Sequence, residues 1–262
     1  MRTDIARLDL RQRRRSVIGY SVGLALYTLV VVALYPAFKD STSLDSLVKS
    51  DATAAALFGI SGPVSSSGGW LNANIYANFF PLLALLMTIG YGAAAVAGQD
   101  DDGTLCLLVA LARSRTAILL HKVGAMVLQV LVLTIAVLVC VVMGRSFQLT
   151  TSVRTASTAS LALMLMALDF GILALAVGAL TGRRGTAIGV TSAVAAASYL
   201  VSSLAPVISW LHSWRYVSLF YWSVGNNQIT DGASVWDLVF LTAVGAVVMF
   251  AAVFAFRRAD LR

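Results

Sequence analysis

The chain has 262 residues, 59% of them hydrophobic and only 12% charged, with a mean hydropathy of +0.85. Soluble domains run nearer half apolar and a quarter charged, and a single water-soluble core of this size cannot hide the excess; a soluble enzyme, a disordered tail and a nucleic-acid reader are excluded. The formal charge of +7 comes from sixteen Arg and three Lys against twelve Asp and no Glu, in short bursts between long uncharged stretches. That pattern sets membrane topology and does not track phosphates.

At the start, Ile5, Leu8 and Leu10 alternate with Arg and Asp, and Arg13, Arg14 and Arg15 close the stretch. Two readings fit it: an elbow helix lying along the cytoplasmic interface, or a basic tail that only sets topology. A removable export signal is not expected, because the apolar run that follows has 23 residues and ends in Tyr35-Pro36-Ala37-Phe38, whereas a signal has 7–15 apolar residues and a small-residue cleavage site.

A helix needs about 20 apolar residues to cross roughly 30 Å of hydrocarbon. Six segments qualify: 16–38, 75–98, 123–144, 158–180, 186–209 and 238–256. The predicted architecture is an all-α integral membrane protein, one transmembrane domain over 1–262. Only the fourth segment holds a charge, Asp169. With both termini cytoplasmic, 14 Lys and Arg fall inside and 5 outside, as the positive-inside rule requires. Trp70, Trp210, Trp214, Trp222 and Trp236 then all lie at or beyond the outer boundary, where indole prefers to sit.

Two outer segments exceed simple turns. Residues 39–74 are rich in Ser, Gly and Ala, with a small apolar patch at Ala52–Ile60; residues 210–237 carry four of the five Trp with Tyr216, Phe220 and Tyr221. So aromatic a loop is not freely solvated, and short helices at headgroup level are expected over 210–237. On the inner side, Gly182-Arg183-Arg184-Gly185 is a plain turn, whereas 98–115 is structured. Asp100, Asp101 and Asp102 stand before a short helix, at the positive end of its dipole. Gly103 precedes Thr104, a cap. Leu105, Leu108, Leu111 and Ala112 form an apolar stripe over 104–112, and Arg113 and Arg115 close the negative end. Such an element is either a docking lever for a cytosolic partner or a membrane-surface helix with solvated ends.

The run resembles the signature of ABC-2-type permeases, the membrane subunits of one class of ATP-binding-cassette exporters. Gly98, Asp100, Asp101, Gly103, Thr104, Leu105, Leu107, Leu108, Ser114 and Arg115 match the pattern, while Gln99, Cys106, Ala112 and Arg113 depart from it. The resemblance extends to the outline of the whole chain, with an elbow helix, six spans, a coupling helix between spans two and three, and outer helices before span six. The stretch Trp214-Arg215-Tyr216-Val217-Ser218-Leu219-Phe220-Tyr221 is similar to the family's outer Arg-x-x-Ser-Pro-Phe segment, with Leu219 in place of Pro. It makes Trp214, Arg215, Tyr216, Phe220 and Tyr221 the outer-gate candidates.

The resemblance implies a permease driven through its coupling helix by a separate ATPase. No phosphate-binding loop is present, since none of Lys39, Lys49 and Lys122 stands between Gly and Ser or Thr. No cofactor is expected on this chain; ATP and Mg belong to the partner. The implied assembly is two ATPase subunits and a second permease, identical or related, in the lipid of a bacterial plasma membrane. A bacterial source is also indicated by the preference for Arg over Lys and for Ala and Val. The family's efflux substrates include drugs, antibiotics, peptides and lipids, and apolar spans favour hydrophobic or amphipathic cargo. Gly185 with Gly189 and Ala193 with Ala197 form small-xxx-small pairs suited to close helix contact or to ordinary packing.

Asp169 is costly in hydrocarbon and is a functional candidate by default. Its alternatives are satisfaction inside the bundle, with Tyr199 as a candidate partner, contact with substrate or cation, and proton relay. Rival functions are weaker. An ion-coupled secondary transporter using Asp169 would need more midplane polar positions. A zinc protease would need His-Glu-x-x-His, and His121 and His212 lie on opposite sides. A non-transport anchor leaves the outer cap unexplained. Cys106 and Cys140 are read as small hydrophobes, with no metal spacing.

Overall fold

The computed structural model describes residues 4–39, 52–60, 63–95 and 115–258, together with Ser41, Ser46 and Ser50. The described residues hold helices and no strands. In chain order the α-helices are α1 (Asp4–Phe38), α2 (Ala52–Leu57), α3 (Ser67–Ala95), α4 (Arg115–Met143), α5 (Val153–Thr181), α6 (Arg184–Leu204), α7 (Gln228–Asp231) and α8 (Val235–Arg258). α3 contains a π-helical stretch, Asn72–Phe79; a 3-10 turn, Gly144–Phe147, follows α4; and a 3-10 helix, Ser209–Val217, and a π turn, Tyr221–Gly225, precede α7. Helices α1, α3, α4, α5, α6 and α8 are each long and apolar enough to cross a membrane.

Local chemistry sets the helix ends. The Ser152 hydroxyl accepts from Thr155 N–H at 3.1 Å to start α5, which ends at Gly182 in the left-handed region. α8 opens on a reciprocal capping box: Ser234 N–H donates to Asp237 Oδ2 at 2.9 Å and Asp237 N–H to Ser234 Oγ at 3.1 Å. No Gly or Pro interrupts residues 4–15, so they run without a break into the first span. At 35 residues α1 is about 52 Å long, and one end must project beyond the hydrocarbon. A helix is therefore present where the elbow was expected, but its backbone is continuous with the span.

α5 is the hub. It packs on α3, α8, α4 and α6, while α1 packs on α4. In its most apolar window 78% of residues are buried, against 22% in α6 and α8. Its small residues let neighbours approach closely, as in membrane bundles generally. At the α3–α5 crossing a Cβ on Gly92 would overlap the carbonyl oxygen of Gly171, and one on Gly171 would overlap Met126 Sδ of α4.

α1, α4 and α6 end, and α3, α5 and α8 begin, at one end of the bundle, which holds all five Trp. Trp70 there donates from Nε1 to the Val31 carbonyl of α1 at 2.9 Å. Ser67 joins Tyr35 of α1 and Thr150 of the α4–α5 connection, at 3.0 Å to each hydroxyl. The second span begins earlier than expected: α3 is helical from Ser67, not from residue 75. Asn72, Asn74 and Asn78 lower the apolar signal of these turns, yet their amides find carbonyl partners inside the fold. Residues 210–237 do form short helices, as expected of so aromatic a loop.

Candidate functional site

The residues singled out in the sequence fall in four places. Asp100, Asp101, Asp102, Gly103, Thr104, Leu105, Leu108 and Arg113 lie outside the described residues, and Arg115 begins α4. Of the basic cluster in α1, Arg14 and Arg15 are exposed.

Asp169 is buried midway along α5 at 4% exposure. Its Oδ2 has no hydrogen-bond partner among the described residues. A Cβ on Gly245 of α8 would overlap Oδ1, so the missing side chain on α8 makes room for the acid on α5. Tyr199, a candidate partner, donates instead to the Leu57 carbonyl at 2.8 Å.

The five outer candidates divide. Arg215 lies 4.8 Å from the Tyr216 ring centroid and 5.1 Å from that of Tyr221, and donates from Nη2 to Tyr216 Oη at 2.7 Å. This hydrogen bond holds the guanidinium above its ordinary pKa. Burial pushes the Tyr221 phenol up, and the nearby Arg215 charge partly offsets that. Trp222 packs edge-on to Tyr221, stacks on Phe240 of α8 at 4.6 Å, and donates to the Tyr216 carbonyl at 2.8 Å. Phe220 faces the other way, against Tyr199 at 5.3 Å and Phe170 at 6.2 Å. Trp214 stays 59% exposed and belongs to neither group.

Phe220 borders a groove of about 730 Å³ between α3 and α6. Leu82, Leu85 and Ile89 of α3 and Ile188 and Ala195 of α6 make its apolar walls, and Leu57 and Phe58, at the end of α2, also line it. Asn78, Ser192 and Tyr199 are the polar side chains of the lining. Beside the groove, α6 leaves Gly185, Gly189, Ala193 and Ala197 exposed on one stripe, and the two glycines have open space where a Cβ would stand.

Sequence reasoning missed this groove and the tie across its end. The available signal was Asn72, Asn74 and Asn78 in an otherwise apolar stretch, since polar groups at membrane depth are functional candidates. The partners of Asn72 and Asn78 on the α2 segment could not be read from spacing. Among the described residues no group of three His, Cys, Asp or Glu side chains is placed to hold a metal.

A family model described as ABC-2 family transporter protein matches residues 3–261. A search of curated protein sequences finds no match.

Proposed function

The chain belongs to the ABC-2 transporter family, a multi-pass membrane subunit of an ABC transporter, and on that premise we propose that it is one permease half of an exporter. The groove between α3 and α6 carries this reading. Its walls are apolar, it lies between two spans, and α6 beside it presents an unfilled stripe of small residues. A second permease, identical or related, packing on that stripe turns two grooves into one path, because small residues allow close helix approach without a hydrophobic driving force. Apolar walls favour a hydrophobic or amphipathic cargo such as a drug, antibiotic, peptide or lipid.

Energy comes from two copies of a separate ATPase, which bind ATP and Mg. Residues 100–115 are the coupling element. Acids at the start and Arg at the end of a short apolar helix complement its dipole, and Leu105 and Leu108 seat it on the partner. Closure of the ATPases on ATP moves α3 and α4, which flank this segment, and through them the groove. The setting is a bacterial plasma membrane with both termini cytoplasmic.

The test is co-purification of the solubilised chain with its co-expressed neighbours, followed by ATPase assay. Neutralising Asp100, Asp101 and Asp102 together with Leu108→Asp is expected to lose the ATPase while the permease still purifies. A wild-type chain that purifies without any nucleotide-hydrolysing partner would refute the reading. Asp169, buried without a partner at Oδ2 among the described residues, supports ion coupling as a second reading. That reading fails if Asp169→Asn assembles and transports unchanged.

A further inference from the structure

Where α2 ends, three consecutive carbonyls are met by side chains of the two helices that flank the groove. Tyr199 of α6 donates to Leu57 O at 2.8 Å, and Asn78 of α3 to Phe58 O at 3.0 Å. Asn72 of α3 donates to Gly59 O at 3.1 Å. Any helix end needs such partners, but these come from both walls, so the segment ties α3 to α6 across the groove. Its turn is built for the position. Gly59 has φ +64° and sits where Ile60 N–H returns to Ala55 O and Gly59 N–H to Ala56 O, a Schellman close. A Cβ there would also stand 3.1 Å from Ala77 Cβ of α3. Yet Leu57 and Phe58 are 44% and 62% exposed. Directed hydrogen bonds hold this segment more than apolar burial does.

Tyr199 and Asn78 are also two of the three polar side chains lining the groove. While the segment is seated, the Tyr199 hydroxyl and the Asn78 amide donate to it. We propose that Leu57–Gly59 is an internal stopper of the groove, and that cargo bearing consecutive amide carbonyls displaces it by taking the Tyr199 and Asn78 donors. The cargo class is thus an apolar peptide or peptide-like amphiphile, with Leu and Phe side chains against the walls as the stopper has. This cargo assignment rests on the groove being the transport path.

The test uses the full chain in lipid nanodiscs. With Cys106 and Cys140 replaced by Ala, a Leu85→Cys reporter inside the groove is labelled by a polar maleimide. Each of Tyr199→Phe and Asn78→Ala removes one neutral hydrogen bond to the segment, and labelling should quicken about fivefold for each; Asn78→Ala also removes the amide's 2.8 Å bond to Ala73 O within α3. Binding is then compared for Ac-Leu-Phe-Gly-NH2 and for diphenylhexatriene, an apolar probe without carbonyls. In the double variant diphenylhexatriene gains affinity because the stopper is loose. The peptide does not, because it has lost the same donors. The peptide-to-hydrocarbon affinity ratio should therefore fall about 25-fold, from two bonds at about fivefold each. Unchanged labelling and unchanged diphenylhexatriene affinity would overturn the stopper. A rise shared equally by both probes would overturn the carbonyl-reading role. Should the variants misfold, cross-linking Phe58→Cys to Leu82→Cys, both in the groove lining with Asn78 and Tyr199 intact, with a cleavable reagent must abolish binding and cleavage must restore it; binding to the locked form would also overturn the stopper. Labelling does not depend on the transport reading, and ATPase co-purification tests that reading separately.

Discussion

Gly92→Ala is expected to damage the hub of this protein, although Ala is the better helix former. Intrinsic propensity favours the substitution by about 1 kcal/mol. Against it stands the α3–α5 crossing, where the new methyl would overlap the Gly171 carbonyl oxygen and also approach Ala174 Cβ at 3.2 Å. The obstructing atom is backbone in the most buried helix, so no rotamer change relieves the overlap and the two helix axes must separate. Overpacking of a tight core costs about 1–3 kcal/mol, occasionally more, and an immovable neighbour places this site at the upper end. The net loss is about 2 kcal/mol, on the order of 4–8 °C in apparent Tm for a chain of this length. Gly90 is the internal control: two residues away on the same helix, it has open space where a Cβ would stand, and Gly90→Ala should be neutral or stabilising. Thermal unfolding of both variants in one detergent, followed by loss of the monodisperse gel-filtration peak, makes the comparison. Equal melting of the two would refute the close crossing.

Three further outcomes follow from other contacts. Gly245→Ala should destabilise by up to about 2 kcal/mol net, because its methyl would meet the end of the Asp169 side chain while helix propensity returns about 1 kcal/mol; in an Asp169→Ala background the loss should vanish, and additive melting shifts would disprove the pairing. Ser234→Ala removes half of the α8 capping box and should cost about 1 kcal/mol, read as lower thermal stability that Ser234→Thr largely restores. Trp210, Trp214 and Trp236, exposed at 70%, 59% and 77%, belong at the membrane interface. In variants keeping one Trp each, lipids brominated near the headgroup should quench these three more than the buried Trp70, and equal quenching would contradict that placement.

Six spans were legible because crossing hydrocarbon demands about 20 apolar residues in a row, a one-dimensional requirement. Their limits were less so. The start of α3 was hidden by Asn72, Asn74 and Asn78, whose polarity looks like a loop until their carbonyl partners are known. Asp169 stood out as an intramembrane acid, but its matched space at Gly245, 76 positions along the chain, left no local trace. Tyr199 was legible as a hydrogen-bonding group near Asp169 in depth, yet the fold directs it to Leu57.

Composition and spacing alone determined that the chain lives in a bilayer, how many times it crosses, and the acid–Gly-Thr-Leu segment that marks its family resemblance. Each of these depends on residues that are near neighbours in the chain. The choice of α5 as hub, the groove between α3 and α6, and the three-carbonyl tie across it were decided only in three dimensions. In a membrane every helix is apolar all round, so periodicity no longer marks the buried face. Which small residue meets which backbone, and which donor finds which carbonyl, is then settled by how the helices pack.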